Sequence, residues 1–148
     1  MENASREKYG VSVTLRSLQE GRRSVLKAKG EAIAKGSDLY IRYEEPGEDP
    51  QGNEAPALRT MLKIAGDGLT IIRHGSVESE QAFTEGKRLP GYYRSPYTRF
   101  NLSTETRNLN IRREGRAVAI DVAYDLYVYE ELSGQFELSF NVQEEMKS

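Results

Sequence analysis

The sequence predicts an all-β protein, an antiparallel up-and-down β-barrel of about eight to ten strands. Three observations carry that prediction. Apolar residues recur at every second position in one run after another, short glycine-bearing turns separate the runs, and only one stretch admits a helical reading.

Residues 1–8 are charged and polar and read as a flexible N-terminus. Val11, Val13 and Leu15 then alternate with Ser12, Thr14 and Arg16, the pattern of a half-buried strand. The ambiguous stretch follows. Arg22 to Lys35 is rich in helix formers, and Val25, Ala28, Ala32 and Ile33 would make a weak helical face, but Gly30 interrupts it and no cap opens it. Read as a strand, it places Leu26, Ala28, Gly30, Ala32 and Ala34 on one side, small residues suited to a tight bend, and the strand reading is preferred. Leu39, Ile41 and Tyr43 form the next strand. Residues 44–56 are acidic, carry three prolines and read as a long mobile loop.

Leu58, Thr60, Leu62 and Ile64 resume the alternation, and Leu69 and Ile71 continue it. Phe100, Leu102, Thr104 and Thr106 define a strand whose inner face turns from apolar to polar. The clearest signal comes late, where Val118, Ile120, Val122, Tyr124, Leu126 and Val128 share one face and Phe136, Leu138, Phe140 and Val142 share another. Turns are expected at Gly36-Ser37-Asp38, Gly66-Asp67-Gly68, His74-Gly75-Ser76, Glu85-Gly86, Glu114-Gly115 and Ser133-Gly134. Connections this short make sequence neighbours spatial neighbours, hence a meander. An open sheet of so many strands would expose two long edges, so closure is preferred over an orthogonal sandwich.

Composition narrows function by exclusion. The 148 residues suit a single domain, 1–148, and 37% apolar and 30% charged residues at a net charge of −2 suit a folded one. With no Cys and one His, no metal site or cofactor is expected. The balanced charge argues against a nucleic-acid partner, and no apolar run reaches the roughly 20 residues of a membrane span. Met1 to Lys8 lacks the apolar stretch of a signal peptide or lipoprotein leader, so a cytoplasmic protein is expected.

Several clusters look familiar together. Arg73-His74-Gly75 after a strand, Phe83, Tyr93-Arg94-Ser95-Pro96-Tyr97, Thr104-Glu105-Thr106 leading to Leu109, and Tyr124-Asp125-Leu126-Tyr127 resemble the YwiB-like family of uncharacterised bacterial proteins. The resemblance runs from about Val11 to Val142 and departs at Thr98, where the family has glycine. It implies a calycin-type, lipocalin-like barrel with no established activity, and it supplies no substrate.

Arg73 is the leading candidate for a site. With a three-residue turn it pairs with Val77 and faces inward beside Ser79, Gln81 and Phe83; with a two-residue turn it faces outward opposite Glu78. The Arg-x-Gly signature shared with the family favours the inward side. An inward arginine must be paired, and the predicted inner faces offer only neutral groups: Ser79, Gln81, Thr60, Thr104, Thr106, Tyr43 and Tyr124. Its partner would then be a ligand carboxylate or phosphate, or a network of hydroxyls and water.

The leading functional expectation is a non-catalytic barrel binding a small amphipathic or anionic molecule through Arg73, Gln81, Tyr93, Thr104, Thr106 and Tyr124. The alternative is a protein-interaction module with a packed interior, whose tyrosine-rich mouth meets a partner protein; the stretch from Arg88 to Phe100 reads as a loop at that mouth with its tyrosines packed as a plug. A third reading is an enzyme using His74 or a tyrosine, although no nucleophile lies at a fixed spacing from that histidine. Asp121 and Asp125 would lie about 13 Å apart along one strand and read as surface carboxylates.

Overall fold

The computed structural model describes residues 6–48 and 54–145. Ten antiparallel strands close into a barrel: β1 (Arg6–Gln19), β2 (Arg22–Lys35), β3 (Asp38–Glu48), β4 (Glu54–Ala65), β5 (Gly68–His74), β6 (Glu78–Thr84), β7 (Arg88–Arg94), β8 (Arg99–Glu114), β9 (Ala117–Val128) and β10 (Glu131–Glu144). Each strand pairs with its sequence neighbour, and β1 with β10 closes the ring. No helix of the described residues is long and apolar enough to cross a membrane.

The Arg22 to Lys35 segment is a strand throughout, because its apolar positions face the interior opposite those of β1, as in Leu15 opposite Leu26 and Val13 opposite Ala28. Among its small residues, Gly30 marks a close approach. A Cβ there would collide with the Arg42 carbonyl, so only glycine lets β2 pass this close to β3. Gly91 of β7 does the same against the Glu80 carbonyl of β6.

The inner face divides along the barrel axis. Towards the end that holds the β2–β3, β4–β5, β6–β7 and β8–β9 turns, Val11, Val13, Leu39, Ile41, Leu62, Ile64, Leu69, Ile71, Phe83, Val118, Ile120, Val122, Phe140 and Val142 form one buried cluster. Burial of apolar surface here is the main stabilising term. The opposite end carries the β1–β2, β5–β6, β7–β8 and β9–β10 connections and is the open end of the barrel.

Five expectations need correction. Residues 6–8 of the expected flexible N-terminus are strand, since Arg6 to Tyr9 pair with Ala32 to Lys35; residues 1–5 lie outside the described residues. Much of the expected acidic loop is strand: β3 runs to Glu48 and β4 starts at Glu54, with residues 49–53 outside the described ones. The stretch Arg88 to Phe100 is mostly strand, the connection being 95–98 alone. At Pro90, β7 pairs with Ser103 of β8 but has no β6 partner, so a residue without an N–H is tolerated.

The turn expected at Ser133-Gly134 lies at Tyr129-Glu130, both in positive φ (53° and 69°), as a two-residue hairpin turn requires. Tyr129 therefore belongs to this turn. Ser133 and Gly134 instead form the irregularity between Leu132 and Gly134 in the β9–β10 register. Finally, β8 is longer than its alternation suggested, because the register shifts between Thr106 and Asn108 and then resumes with Leu109 and Ile111 facing inward.

Candidate functional site

Arg73 sits near the end of β5 and pairs with Thr60 of β4 and Ser79 of β6. The register is neither of the two considered, but its parity is that of the inward reading, so Arg73 shares a side with Ile71, Gln81 and Phe83. Glu78 faces outward and bonds Arg94.

The cation has a protein partner. Glu45, assigned to a loop by composition, is the next inward residue of β3 after Leu39, Ile41 and Tyr43, and its Oε2 lies 3.4 Å from Arg73 Nη2. The same oxygen accepts hydrogen bonds from the Tyr43 hydroxyl and from Thr60 Oγ1, each at 3.0 Å. The two side chains of the ion pair are only 21% and 15% exposed, so the pair is poorly screened by solvent. The requirement for an external anion is thereby lifted. What signalled Glu45 was the alternation itself, which continues two residues into the acidic run.

A cavity of about 540 Å³ opens beside this pair. Its lining is mixed: Arg73, Glu45, Gln81, Ser17, Gln19, Ser24, Arg22 and Arg23 supply polar groups, and Leu15, Leu26, Phe136, Leu138 and Tyr124 supply apolar surface. Tyr124 stacks on Phe136 with ring centroids 5.2 Å apart and meets Phe83 edge-on at 4.8 Å, which fixes the cavity floor. Burial raises the Tyr124 phenol above its ordinary pKa, while Gln81, which hydrogen-bonds it, and Arg73 pull the other way. Burial and the adjacent Glu45 carboxylate raise Tyr43 much further, against a smaller opposing pull from Arg73. Both phenols are neutral hydrogen-bonding groups at physiological pH.

Of the six residues expected to line a site, Arg73, Gln81 and Tyr124 meet at this cavity. The other three do not. Tyr93 stacks on Phe100 at 4.9 Å near the rim. Thr104 is fully buried and donates to the Ala82 carbonyl at 2.5 Å. Thr106 is buried deeper in the barrel, and its hydroxyl is the one buried side-chain polar atom among the described residues without a hydrogen-bond partner. The polar half of the β8 face thus lies mid-barrel, away from the cavity. Glu45, Ser17, Gln19, Ser24, Arg22 and Arg23 are among the lining residues that sequence reasoning missed.

His74 is exposed and lines a hollow of about 680 Å³ on the outer wall, with Arg59 and Glu44. A second outer hollow of about 420 Å³ lies over β2, β1, β10 and β9, with Arg23, Arg16 and Asp121 among its lining. Asp121 accepts from Ser139 at 2.6 Å and Asp125 from Arg107 at 3.0 Å, so both carboxylates have protein partners on the surface. No group of three or more His, Asp or Glu side chains among the described residues could hold a metal ion.

Known proteins share this architecture. A family model described as Domain of unknown function (DUF1934) matches residues 11–140. The "Uncharacterized beta-barrel protein YwiB" of Bacillus subtilis (strain 168) is 22% identical over 114 residues, 76% of either chain. The crystal structure of the ywiB protein from Bacillus subtilis superposes with a TM-score of 0.73 at 18% identity, covering 97% of this chain and 96% of that one. With the family model spanning most of its length and the same barrel in a solved relative, this chain belongs to the DUF1934 family of β-barrel proteins.

Proposed function

We propose that the chain is a non-catalytic, cytoplasmic barrel of calycin-like, lipocalin-like type that binds a small amphipathic molecule in the open-end cavity. The carrying observation is the mixed lining: donors and acceptors from Arg73, Glu45 and Gln81 share a cavity of about 540 Å³ with apolar Leu26, Phe136 and Leu138. Because Glu45 already meets the charge of Arg73, the polar head that fits best is neutral or zwitterionic, able both to donate and to accept. A simple anion would have to displace Glu45. The hollow interior at this end also favours a binding role over an interaction module with a filled core.

The chain has no Trp, so Leu26→Trp would place its sole indole in the cavity. A screen of neutral and zwitterionic amphipaths, fatty acids, phosphorylated metabolites and aromatic carboxylates should yield a compound that shifts that emission. The same compound should raise the melting temperature of the unaltered protein, by the equivalent of about 2.7 kcal/mol at a hundredfold excess over Kd. A screen in which nothing moves either signal overturns the reading. A hit drawn only from anions would reassign Arg73 to the ligand.

A further inference from the structure

The wall of the barrel is incomplete along β2. All fourteen residues of β2 pair with β1, but only Gly30 to Lys35 pair with β3. From Arg22 to Lys29 the far edge has no ladder partner among the described residues. Five consecutive residues, Arg22 to Leu26, line the cavity, which alternating side chains alone could not do; the backbone edge itself borders the opening. The wall also parts between β6 and β7 over Arg88 to Gly91, but there the gap is bridged: Thr104 bonds the Ala82 carbonyl, and Gly86 and Lys87 exchange backbone hydrogen bonds with Thr106.

The chemistry of the open edge is one-sided. Arg22, Arg23, Lys27 and Lys29 stand along it, with Arg16 beside them on β1. Of these five, only Lys29 makes an ion pair among the described residues, with Glu145 at 3.1 Å. Val25 on the same edge is 59% exposed. An unpaired edge is a template for another strand, and a second copy of this edge would set lysine and arginine against lysine and arginine. An acidic strand meets no such penalty.

We propose that Arg22 to Lys29 is a docking edge for an extended acidic segment of a partner protein, which adds as an eleventh strand. Its outward side chains, Asp or Glu, lie beside Arg23 and Lys27; its inward ones, small or apolar, lie beside Ser24, Leu26 and Ala28 and cover the side of the cavity. The edge stands in this role whether or not the cavity also takes a small molecule, and Leu26→Trp emission in peptide-free protein tests that separately.

The test uses the full chain and a capped eight-residue peptide alternating glutamate with valine and alanine. Binding should slow amide exchange at alternate positions within Arg22 to Lys29 and weaken with salt. N-methylating the peptide amides that face β2 should abolish it, whereas N-methylating the alternate set should not. Arg23→Glu/Lys27→Glu, at two exposed positions, should keep the fold by circular dichroism and lose about tenfold or more in affinity. Three results would overturn the proposal: no protection of this edge at a peptide concentration of about 1 mM; binding indifferent to both N-methylation sets; or concentration-dependent protection of the edge without peptide, which would assign it to a second copy.

Discussion

The two ends of the barrel are built on the same strands and the same alternation, yet one is packed and the other hollow. On β3 the inward series runs Leu39, Ile41, Tyr43, Glu45; on β5, Leu69, Ile71, Arg73; on β10, Val142, Phe140, Leu138, Phe136. In each, a step or two along the strand passes from a core residue to one on the cavity wall. Alternation therefore decides which side a residue faces, while side-chain size and polarity decide whether the interior at that level is filled.

The packed end should respond most. Phe140→Ala should cost about 3–5 kcal/mol in urea unfolding, because Phe140 is fully buried and its removal leaves a void. Leu138→Ala, two residues nearer the open end and already against empty space, should cost only about 1–2 kcal/mol. Equal losses at the two positions would erase the distinction between the ends.

The hollow end depends on its polar pair. Arg73→Met should cost about 1–3 kcal/mol by leaving the Glu45 carboxylate with two hydroxyl donors and no cation, and adding Glu45→Gln should restore part of that loss. A double variant no more stable than the single one would show that the pair is not coupled.

Alkaline pH probes the same end. Tyr43 and Tyr124 have folded pKa values above the ordinary 10.0, so folding favours the protonated phenol. Their contribution is fully present below about pH 10 and is lost as the pH rises above it, by up to about 1.4 kcal/mol per unit for each tyrosine. In a spectrophotometric titration, these two should ionise above the ordinary phenol range; ionisation within it would show that the cavity floor is wet. The smallest effect is expected at Thr106→Val, which removes an unpartnered buried hydroxyl at nearly constant volume and should leave the melting temperature unchanged or raised.

Much of the barrel was legible because a half-buried strand writes period two directly into the sequence, as Val118 to Val128 does. The register was less so. The side that Arg73 faces depends on whether the turn after it holds an odd or even number of residues, and glycine and serine permit both. Composition misled at Glu45, where proline and acid suggested a loop but the inward position follows Tyr43 by two. It misled again at Ser133-Gly134, which reads as a turn and is an irregularity inside β10. The cavity itself was illegible, since a hollow is set by which strands part, and beside the cavity β2 and β3 part at Gly30.

The seam between β1 and β10 carries a consequence for the order of assembly. Nine of the ten ladders join consecutive strands and can zip as hairpins, each closing a short loop. The tenth pairs Val11 with Glu144 and Leu15 with Phe140, bringing together segments at opposite ends of the chain. Its closure entropy grows only with the logarithm of the intervening length, but nothing offsets that loss until the curved sheet already brings its first and last strands into register. Before that moment the meander is an open ribbon with two bare edges. The lifetime of that ribbon, more than the final stability of the ring, sets how long the chain is exposed to pairing with the wrong neighbour.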